Sequence, residues 1–449
     1  MPSQSPPTTR PDTLRRALES ATDTRALEIG RGILSQVPAV FASQFGTRPS
    51  AIVADANTFP AAGRAVFDAF RSHGAPSAEP FIFINPGLYA EYSFVELLQA
   101  ALSKVDAIPI AVGSGTINDL TKLVAHRLGR PYLAVATAAS MDGYTAFGSS
   151  ITYKGSKQTF DCPAPRAVVA DLGVIAAAPP TLNASGYADL LAKITAGADW
   201  IAADALGEEP IDPIAWELVQ SSLRDWTSNP SGIPRGDPKA IAGLVEGLMM
   251  GGFAMQRTKT SRPASGAEHQ FSHLWDMQHH AHNGVPPSHG FKVGIGTLAV
   301  TRLYEYLYSR ELSAIDPDEL SRKWPGWAEQ EQAIRRLFDI PELADKAILE
   351  SKAKYIPPDH LRSHLQTLHE HWPSLRNRLR DQLIPSTELS QMLHDAGAPS
   401  TPQQIGITPE RLRDSHRQAY HIRRRYTVLD LAVRAGVLDE ALARLYPAA

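Results

Sequence analysis

Ile108-Pro109-Ile110-Ala111-Val112-Gly113-Ser114-Gly115-Thr116-Ile117-Asn118-Asp119 is a short apolar run, then a glycine turn that opens directly into a helical pattern. The run reads as a buried strand, although Pro109 argues for an irregular start. Glycine lets the backbone approach a ligand, and the unbonded N–H groups and positive dipole end at the head of the next helix suit a phosphate. The third glycine of a Rossmann fingerprint is missing, and tight glycine turns also join strands to helices that bind nothing. From this loop alone, phosphate binding and a plain turn stay equally open.

Outward from that turn the same alternation repeats. Residues 51–54 form a strand pattern ending at Asp55, followed by a helical pattern over 60–73; 81–84 is a second strand, 93–104 a helix. Residues 118–127 continue the helix after the glycine turn, and 132–135 read as a fourth strand. Residues 150–153 and 158–160, around Lys154-Gly155-Ser156-Lys157, predict a hairpin, and 167–171 one more strand. Alternation of this kind predicts a parallel sheet with helices on both faces. Asp55, at a strand end, is placed either to accept from a ribose hydroxyl or to cap the next helix. Thr137-Ala138-Ala139-Ser140-Met141-Asp142-Gly143-Tyr144 follows the fourth strand, where open α/β sheets place ligands, unless it is simply a loop.

Pro179-Pro180 marks a boundary. Residues 1–13, polar and proline-rich, predict a disordered tail, with order beginning near Leu27; 14–180 then form an α/β dinucleotide-binding domain and 181–449 an all-α domain. With 449 residues the chain is long enough for two cores. A hydrophobic share of 43% and a charged share of 20% are those of a globular protein. A formal charge of −3 provides no general field for nucleic acid or an anionic membrane. The single cysteine, Cys162, cannot form an internal disulfide, which suits a reducing cytoplasm. No apolar run reaches the ~18 residues of a membrane span, and the N-terminus lacks an apolar signal core.

Chemistry concentrates in Ser265-Gly266-Ala267-Glu268-His269-Gln270-Phe271-Ser272-His273-Leu274-Trp275-Asp276-Met277 and on through His279, His280, His282, Asn283, Gly284 to His289-Gly290, which together hold six of the fifteen histidines. His269 and His273, four apart in a helical pattern, project from one face, and neutral imidazole is a common transition-metal ligand. A chance cluster on a polar surface is the bland alternative, but Ala267, Phe271, Leu274, Trp275 and Met277 make much of the helix apolar, so the pair needs partners inside. Gln270 stands where a zincin requires glutamate, so the metalloprotease motif fails. In Gly186-Tyr187-Ala188-Asp189-Leu190, Asp189 heads an apolar helix with Lys193 four residues on; it is either an ion-pair or first-turn carboxylate or an oxygen ligand that joins the two histidines at a metal. Arg423-Arg424-Arg425 is the one dense basic cluster, read as a solvated helix face in preference to a phosphate contact.

Five ordered motifs together resemble the sn-glycerol-1-phosphate dehydrogenases, bacterial branch, of the iron-containing alcohol dehydrogenase, glycerol dehydrogenase and dehydroquinate synthase-like superfamily: Gly113 to Lys122, Thr137 to Gly143, Gly186 to Leu190, Gly266 to His273, and His289-Gly290. The resemblance covers residues 27–300 well and the later helices more loosely. It implies that superfamily's fold, a Rossmann-like α/β domain followed by an all-α one. It implies metal-dependent, NAD- or NADP-linked interconversion of dihydroxyacetone phosphate and sn-glycerol 1-phosphate, the alternative being a superfamily dehydrogenase for an unphosphorylated polyol. Carried over position by position, Asp55, Gly113, Ser114, Gly115, Thr116, Ile117, Thr137, Ala138, Ala139 and Ser140 correspond to the dinucleotide site. Asp142 corresponds to a substrate contact, Asp189, His269 and His289 to the three metal ligands, and His273 to the catalytic histidine beside the substrate; Asp189 also faces the substrate. The family often has serine where this chain has Ala146, so a hydroxyl contact to the cofactor is lost there and only a backbone contact could survive. Two imidazoles and a carboxylate suit zinc, nickel or iron. The resemblance further implies a cytoplasmic homodimer acting on a small molecule.

Overall fold

Six strands pair as one parallel sheet in a computed structural model of the chain, which describes residues 10–154 and 156–447. The strands are β1 (Ala26–Gly30), β2 (Ser50–Asp55), β3 (Phe81–Phe83), β4 (Ile108–Gly113) and β5 (Leu133–Ala136), then, after the antiparallel hairpin β6 (Ser149–Tyr153) and β7 (Ser156–Phe160), β8 (Ala167–Asp171). Their order across the sheet is β1-β8-β5-β4-β2-β3. Helices α1 (Arg10–Ser20), α2 (Val37–Phe45), α3 (Arg64–Ser72), α4 (Tyr92–Leu102), α5 (Gly115–Arg127), α6 (Leu172–Ala176) and α7 (Pro180–Leu191) accompany them. The chain divides into two compact units, Met1–Leu190 with Pro213–Pro263 and Leu191–Asp212 with Ala264–Ala449.

The strands alternate strictly. Ile52 and Ala54, Ile108, Ile110 and Val112, Leu133 and Val135, Ala167 and Val169 point to one face, where they bury against Val37, Phe41, Val66 and Phe70 of α2 and α3. The opposite face presents Ala51, Val53, Ala111, Ala134 and Val168, all buried as well, so the sheet is covered on both sides as parallel strands require. Pro109 sits inside β4 rather than before it. It is in register with Ala51 of β2, but the β4–β5 pairing begins only at Ile110, so its missing N–H withdraws no bond from that neighbour.

Two elements precede or escape the sequence pattern. β1 pairs with β8 although only Leu27 of its five residues is buried, the signature of an edge strand. Helix α1 places order earlier than Leu27: Arg10 to Thr13 form its first turn, and Ala17 is fully buried. The rest of the expected tail, residues 1–9, lies outside the described residues, as does Gly155 of the hairpin turn.

Beyond α7 the chain is helical. Helix α8 (Lys193–Ala205) belongs to the second unit, whereas α9 (Pro213–Gln220), α10 (Leu223–Trp226) and α11 (Pro238–Thr258) return to the first. The second unit then continues with α12 (Ala267–Met277), α13 (His289–Tyr308), α14 (Pro317–Arg322), α15 (Trp327–Leu337), α16 (Pro341–Lys354), α17 (Pro358–Gln382), α18 (Ser386–Asp395), α19 (Pro409–His421), α20 (Val428–Arg434) and α21 (Leu438–Leu445). Thr408 caps α19, accepting from the Arg411 N–H, with Pro409 at the first helical position. No described helix is long and apolar enough to cross a membrane.

Candidate active site

In the first unit the strand order reverses between β2 and β4: β3 lies outside β2, while β5 and β8 lie on the far side of β4. The carboxyl ends of β2 and β4 therefore flank a topological switch point, where open α/β sheets bind ligands. Asp55 ends β2 and Gly113 ends β4. Ser114, the N-cap of α5, makes no side-chain capping bond, and the first backbone N–H returned to the helix is that of Asn118, to the Ser114 carbonyl at 3.0 Å. The amide groups of Gly115, Thr116 and Ile117 thus stand where a helix N-terminus receives an anion. Gly113 has a packing reason too, since a Cβ there would fall 2.4 Å from that of Ile117. Asp55 performs the local role its residue type allows: Oδ1 accepts from the N–H groups of Asn57 and Thr58, each at 2.8 Å.

The segment after β5 is held from three directions. Thr137 N–H donates to the Gly113 carbonyl at 3.2 Å, and the Tyr144 hydroxyl reaches the carbonyls of Ala138, at 2.9 Å, and Gly113. Ala139 N–H donates to Asn183 Oδ1 on α7 at 3.1 Å. Gly186, also on α7, lies so close that a Cβ would stand 1.8 Å from the Ala139 carbonyl oxygen, which explains why two motifs far apart in sequence require each other. Asp142 N–H donates to Oδ2 of the fully buried Asp189 at 3.3 Å. Lys122 is buried, and its ammonium donates to the carbonyls of Gly143, Ala146 and Gly148 at 2.9 to 3.0 Å. Burial presses its pKa down, with Asp119 opposing. Nothing in the sequence marked Lys122 as the clamp of this loop; its signal is only that lysine inside an apolar helix needs partners. Ala146 is buried, with its carbonyl engaged by Lys122 and its N–H 3.4 Å from the Gly143 carbonyl.

In the second unit α12 and α13 bring three imidazoles together. The ring centroids of His269 and His289 are 5.3 Å apart, those of His269 and His273 6.4 Å, and those of His273 and His289 6.1 Å. The head of α12 is a dense polar knot. Glu268 is fully buried and accepts from Gly266 N–H at 2.5 Å, from the Thr195 hydroxyl at 2.9 Å and from His269 Nδ1 at 2.8 Å. Burial by itself would raise the Glu268 carboxyl; the His269 ring and the Gly266 N–H outweigh it and hold the pKa below the usual value. Asp199 accepts from Ala267 N–H at 2.7 Å and from the Tyr304 hydroxyl at 2.6 Å, anchoring the same turn. Gly266 admits this crowding, because a Cβ would lie 2.5 Å from Asp199 Oδ2. His289 Nδ1 is 3.3 Å from the Ser272 hydroxyl. Nδ1 of both rings is engaged, so a cation held by these rings would take Nε2.

The remaining histidines and arginines separate by environment. His280 is buried between the Ile405 carbonyl at Nε2, 2.6 Å, and Arg411 at Nδ1, 2.8 Å, a structural bridge, whereas His279 is exposed. Arg423, Arg424 and Arg425 do not form a solvated helix face. They occupy the irregular stretch between α19 and α20, where Arg424 forks onto Glu350, Arg425 donates to the Ser265 carbonyl at 2.6 Å, and Arg423 Nη2 lies 3.2 Å from His273 Nε2. A charge cluster in sequence gives no local sign of what folds over it.

The iron-containing alcohol dehydrogenase family matches residues 28–179. A glycerol-1-phosphate dehydrogenase [NAD(P)+] from Halalkalibacterium halodurans is 33% identical over 330 residues, 72% of this chain and 82% of that one. The protein of that name from Geobacillus thermodenitrificans is 31% identical, covering 84% of this chain and 85% of its own. The chain belongs to the glycerol-1-phosphate dehydrogenase family. Among solved structures, glycerol dehydrogenase from Schizosaccharomyces pombe superposes with a TM-score of 0.59 at 16% identity, covering 94% of this chain and 91% of that one, which shows a shared fold. In this member of the glycerol-1-phosphate dehydrogenase family, the matched family segment contains Asp55, the glycine turn and residues 137–146; Asp189 and the three clustered histidines follow it.

Proposed function

We propose that this chain catalyses the metal-dependent, NAD(P)H-linked interconversion of dihydroxyacetone phosphate and sn-glycerol 1-phosphate. The observation that carries the proposal is the Glu268–His269–His289 arrangement: two imidazoles side by side, one with a buried carboxylate on Nδ1, as ring ligands of a metal are oriented. Kinship with glycerol-1-phosphate dehydrogenases supplies the reaction. In this reading Asp189, His269 and His289 each offer one ligand atom to a divalent cation, zinc or nickel, with iron as the further choice. Asp55, Gly113, Ser114, Gly115, Thr116, Ile117 and the segment from Thr137 through Ser140 hold the dinucleotide, and Asp142 contacts the substrate.

The donor set fits such a cation, since one acid and two imidazoles leave positions for substrate. When bound, the cation supplies Lewis-acid polarisation of the C2 oxygen and the nicotinamide supplies hydride. The protein's part is orientation and proton handling. The N–H groups heading α5 receive the pyrophosphate, and Lys122 keeps the 143–148 loop in place beside Asp142. His273 Nε2 accepts from Arg423, so its proton resides on Nδ1, from which it is given to the oxygen at C2 during reduction and recovered during oxidation. We further infer a cytoplasmic homodimer, supported by the lone buried Cys162 and by the prevalence of two-fold assemblies. The test is consumption of reduced cofactor with dihydroxyacetone phosphate by purified protein, lost on chelation and in His269→Ala. Turnover that survives both treatments would end the metal reading.

A further inference from the structure

Helix α8 reaches the head of α12 with two polar side chains four residues apart on one face. The Thr195 hydroxyl donates to Glu268 Oε2 at 2.9 Å, and Asp199 Oδ2 accepts from the N–H of Ala267, the first residue of α12, at 2.7 Å. The N-cap of α12 is Gly266, which has no side chain to offer its own helix, so Asp199 supplies an acceptor from a different element. The approach is tight: a Cβ at Gly266 would lie 2.5 Å from Asp199 Oδ2 and 3.0 Å from the Ala196 Cα. Oδ1 of the same carboxylate accepts from the Tyr304 hydroxyl on α13 at 2.6 Å and from the N–H of Val428, the first residue of α20, at 2.8 Å. One fully buried acid on α8 thus ties together α12, α13 and α20 within the second unit.

Resting on the reading of His269 and His289 as metal ligands, we propose that Asp199 is a positioning residue for the reaction, fixing α12 against α13 and so setting the spacing of the two imidazoles. His269 and His273 ride on α12 and His289 begins α13, so the separation of the ligand rings is only as firm as the joint between these helices. Ligand distances at a divalent cation are held to within about 0.2 Å, a tolerance that sliding apolar contacts do not guarantee. Hydrogen bonds to a buried carboxylate fix direction as well as distance. The packing beside the joint is equally close, since a Cβ at Gly296 of α13 would lie 2.5 Å from the Glu268 carbonyl oxygen. Asparagine at 199 would keep the shape but turn one acceptor into an N–H donor, and that donor would face either the Ala267 N–H or the Tyr304 hydroxyl and Val428 N–H.

The test titrates full-length, metal-stripped protein with Co²⁺, whose visible absorption reports ligand geometry, in four forms: wild type, Asp199→Asn, Tyr304→Phe and Ile334→Ala. Ile334, buried on α15 where it packs on α16, controls for lost stability alone. Co²⁺ affinity is expected to fall about tenfold in Asp199→Asn and about threefold in Tyr304→Phe, with shifted absorption bands. With dihydroxyacetone phosphate as substrate, kcat falls in step while KM for NADH holds. Ile334→Ala lowers the melting temperature and moves neither Co²⁺ affinity nor the bands. Wild-type affinity and bands in an Asp199→Asn protein of lowered melting temperature would make the acid purely structural and overturn the proposal. The same affinity loss in Ile334→Ala would overturn it too. Should Asp199→Asn yield no soluble protein, Tyr304→Phe decides, and unchanged affinity there overturns the proposal. A wild type that takes up no Co²⁺ is a separate result, and removes the parent reading together with this one.

Discussion

Glu268 Oε1 lies 2.8 Å from Nδ1 of His269, its neighbour in sequence, and both side chains are buried. A carboxylate in that position selects the tautomer with hydrogen on Nδ1, keeps the lone pair on Nε2 and raises its basicity. Glu268→Gln preserves shape and removes charge. Metal affinity, measured by competition with a chromophoric chelator, is expected to drop about 10- to 100-fold with the circular dichroism spectrum retained. Undiminished affinity would show that the pair is purely structural.

Ser114 heads α5 without capping it. In Ser114→Asp the new carboxylate caps the helix and favours its dipole, so the melting transition should correspond to about 0.5 to 1 kcal/mol of added stability. The same charge repels a pyrophosphate at that helix end, and KM for NAD(P)H should rise about tenfold or more. Stabilisation without a cofactor penalty would argue that the dinucleotide binds elsewhere.

Gly186 and Gly326 offer a matched comparison. A Cβ at Gly186 meets the Ala139 carbonyl oxygen at 1.8 Å, whereas nothing lies within 4 Å of one at Gly326. Gly186→Ala must push α7 away from the 137–140 segment and is expected to cost about 3 kcal/mol or abolish soluble expression. Gly326→Ala, an N-cap change, should cost under about 1 kcal/mol. Denaturant midpoints compare the two, and equal effects would contradict the packing described for α7.

Acid should weaken the fold as pH falls below about 6.5. His416 is fully buried on α19 with Nδ1 donating to the Leu412 carbonyl at 2.8 Å, and burial pushes its pKa down to about 4; burial likewise pushes His421 down to about 3. Both rings are neutral in the fold, while the unfolded chain takes up protons near pH 6.5. Their contribution is complete above that pH and is lost as pH falls toward 4, roughly 3 kcal/mol for His416 over the whole interval. Urea unfolding at pH 7.5, 6 and 5 should show the decline, and His416→Gln should flatten it. A profile already flat in the wild type would refute the assignment.

Much of the α/β architecture could be read along the chain because its determinants are local. The strands β2, β4, β5 and β8 are apolar runs of four to six residues bounded by turns, and such runs bury on both faces wherever they pair. β1 was invisible for the same reason, since four of its five residues face partly outward and only pairing with β8 makes it a strand. Helix α1 gave little signal because its burial is supplied by other helices, through Ala17.

The sequence alone determined the alternation of strand and helix, the glycine turn between β4 and α5, and the single face shared by His269 and His273, because periods of two and 3.6 residues are properties of a short backbone segment. Only tertiary structure decided that Lys122 would grip the 143–148 loop, that Gly186 would lie against Ala139, that Glu268 would turn inward onto the ring beside it, and that Arg423 would reach His273 across 150 residues of chain. Each of these follows from which buried polar group finds which partner, and that choice is made by the packing of distant elements rather than by the residues next to it.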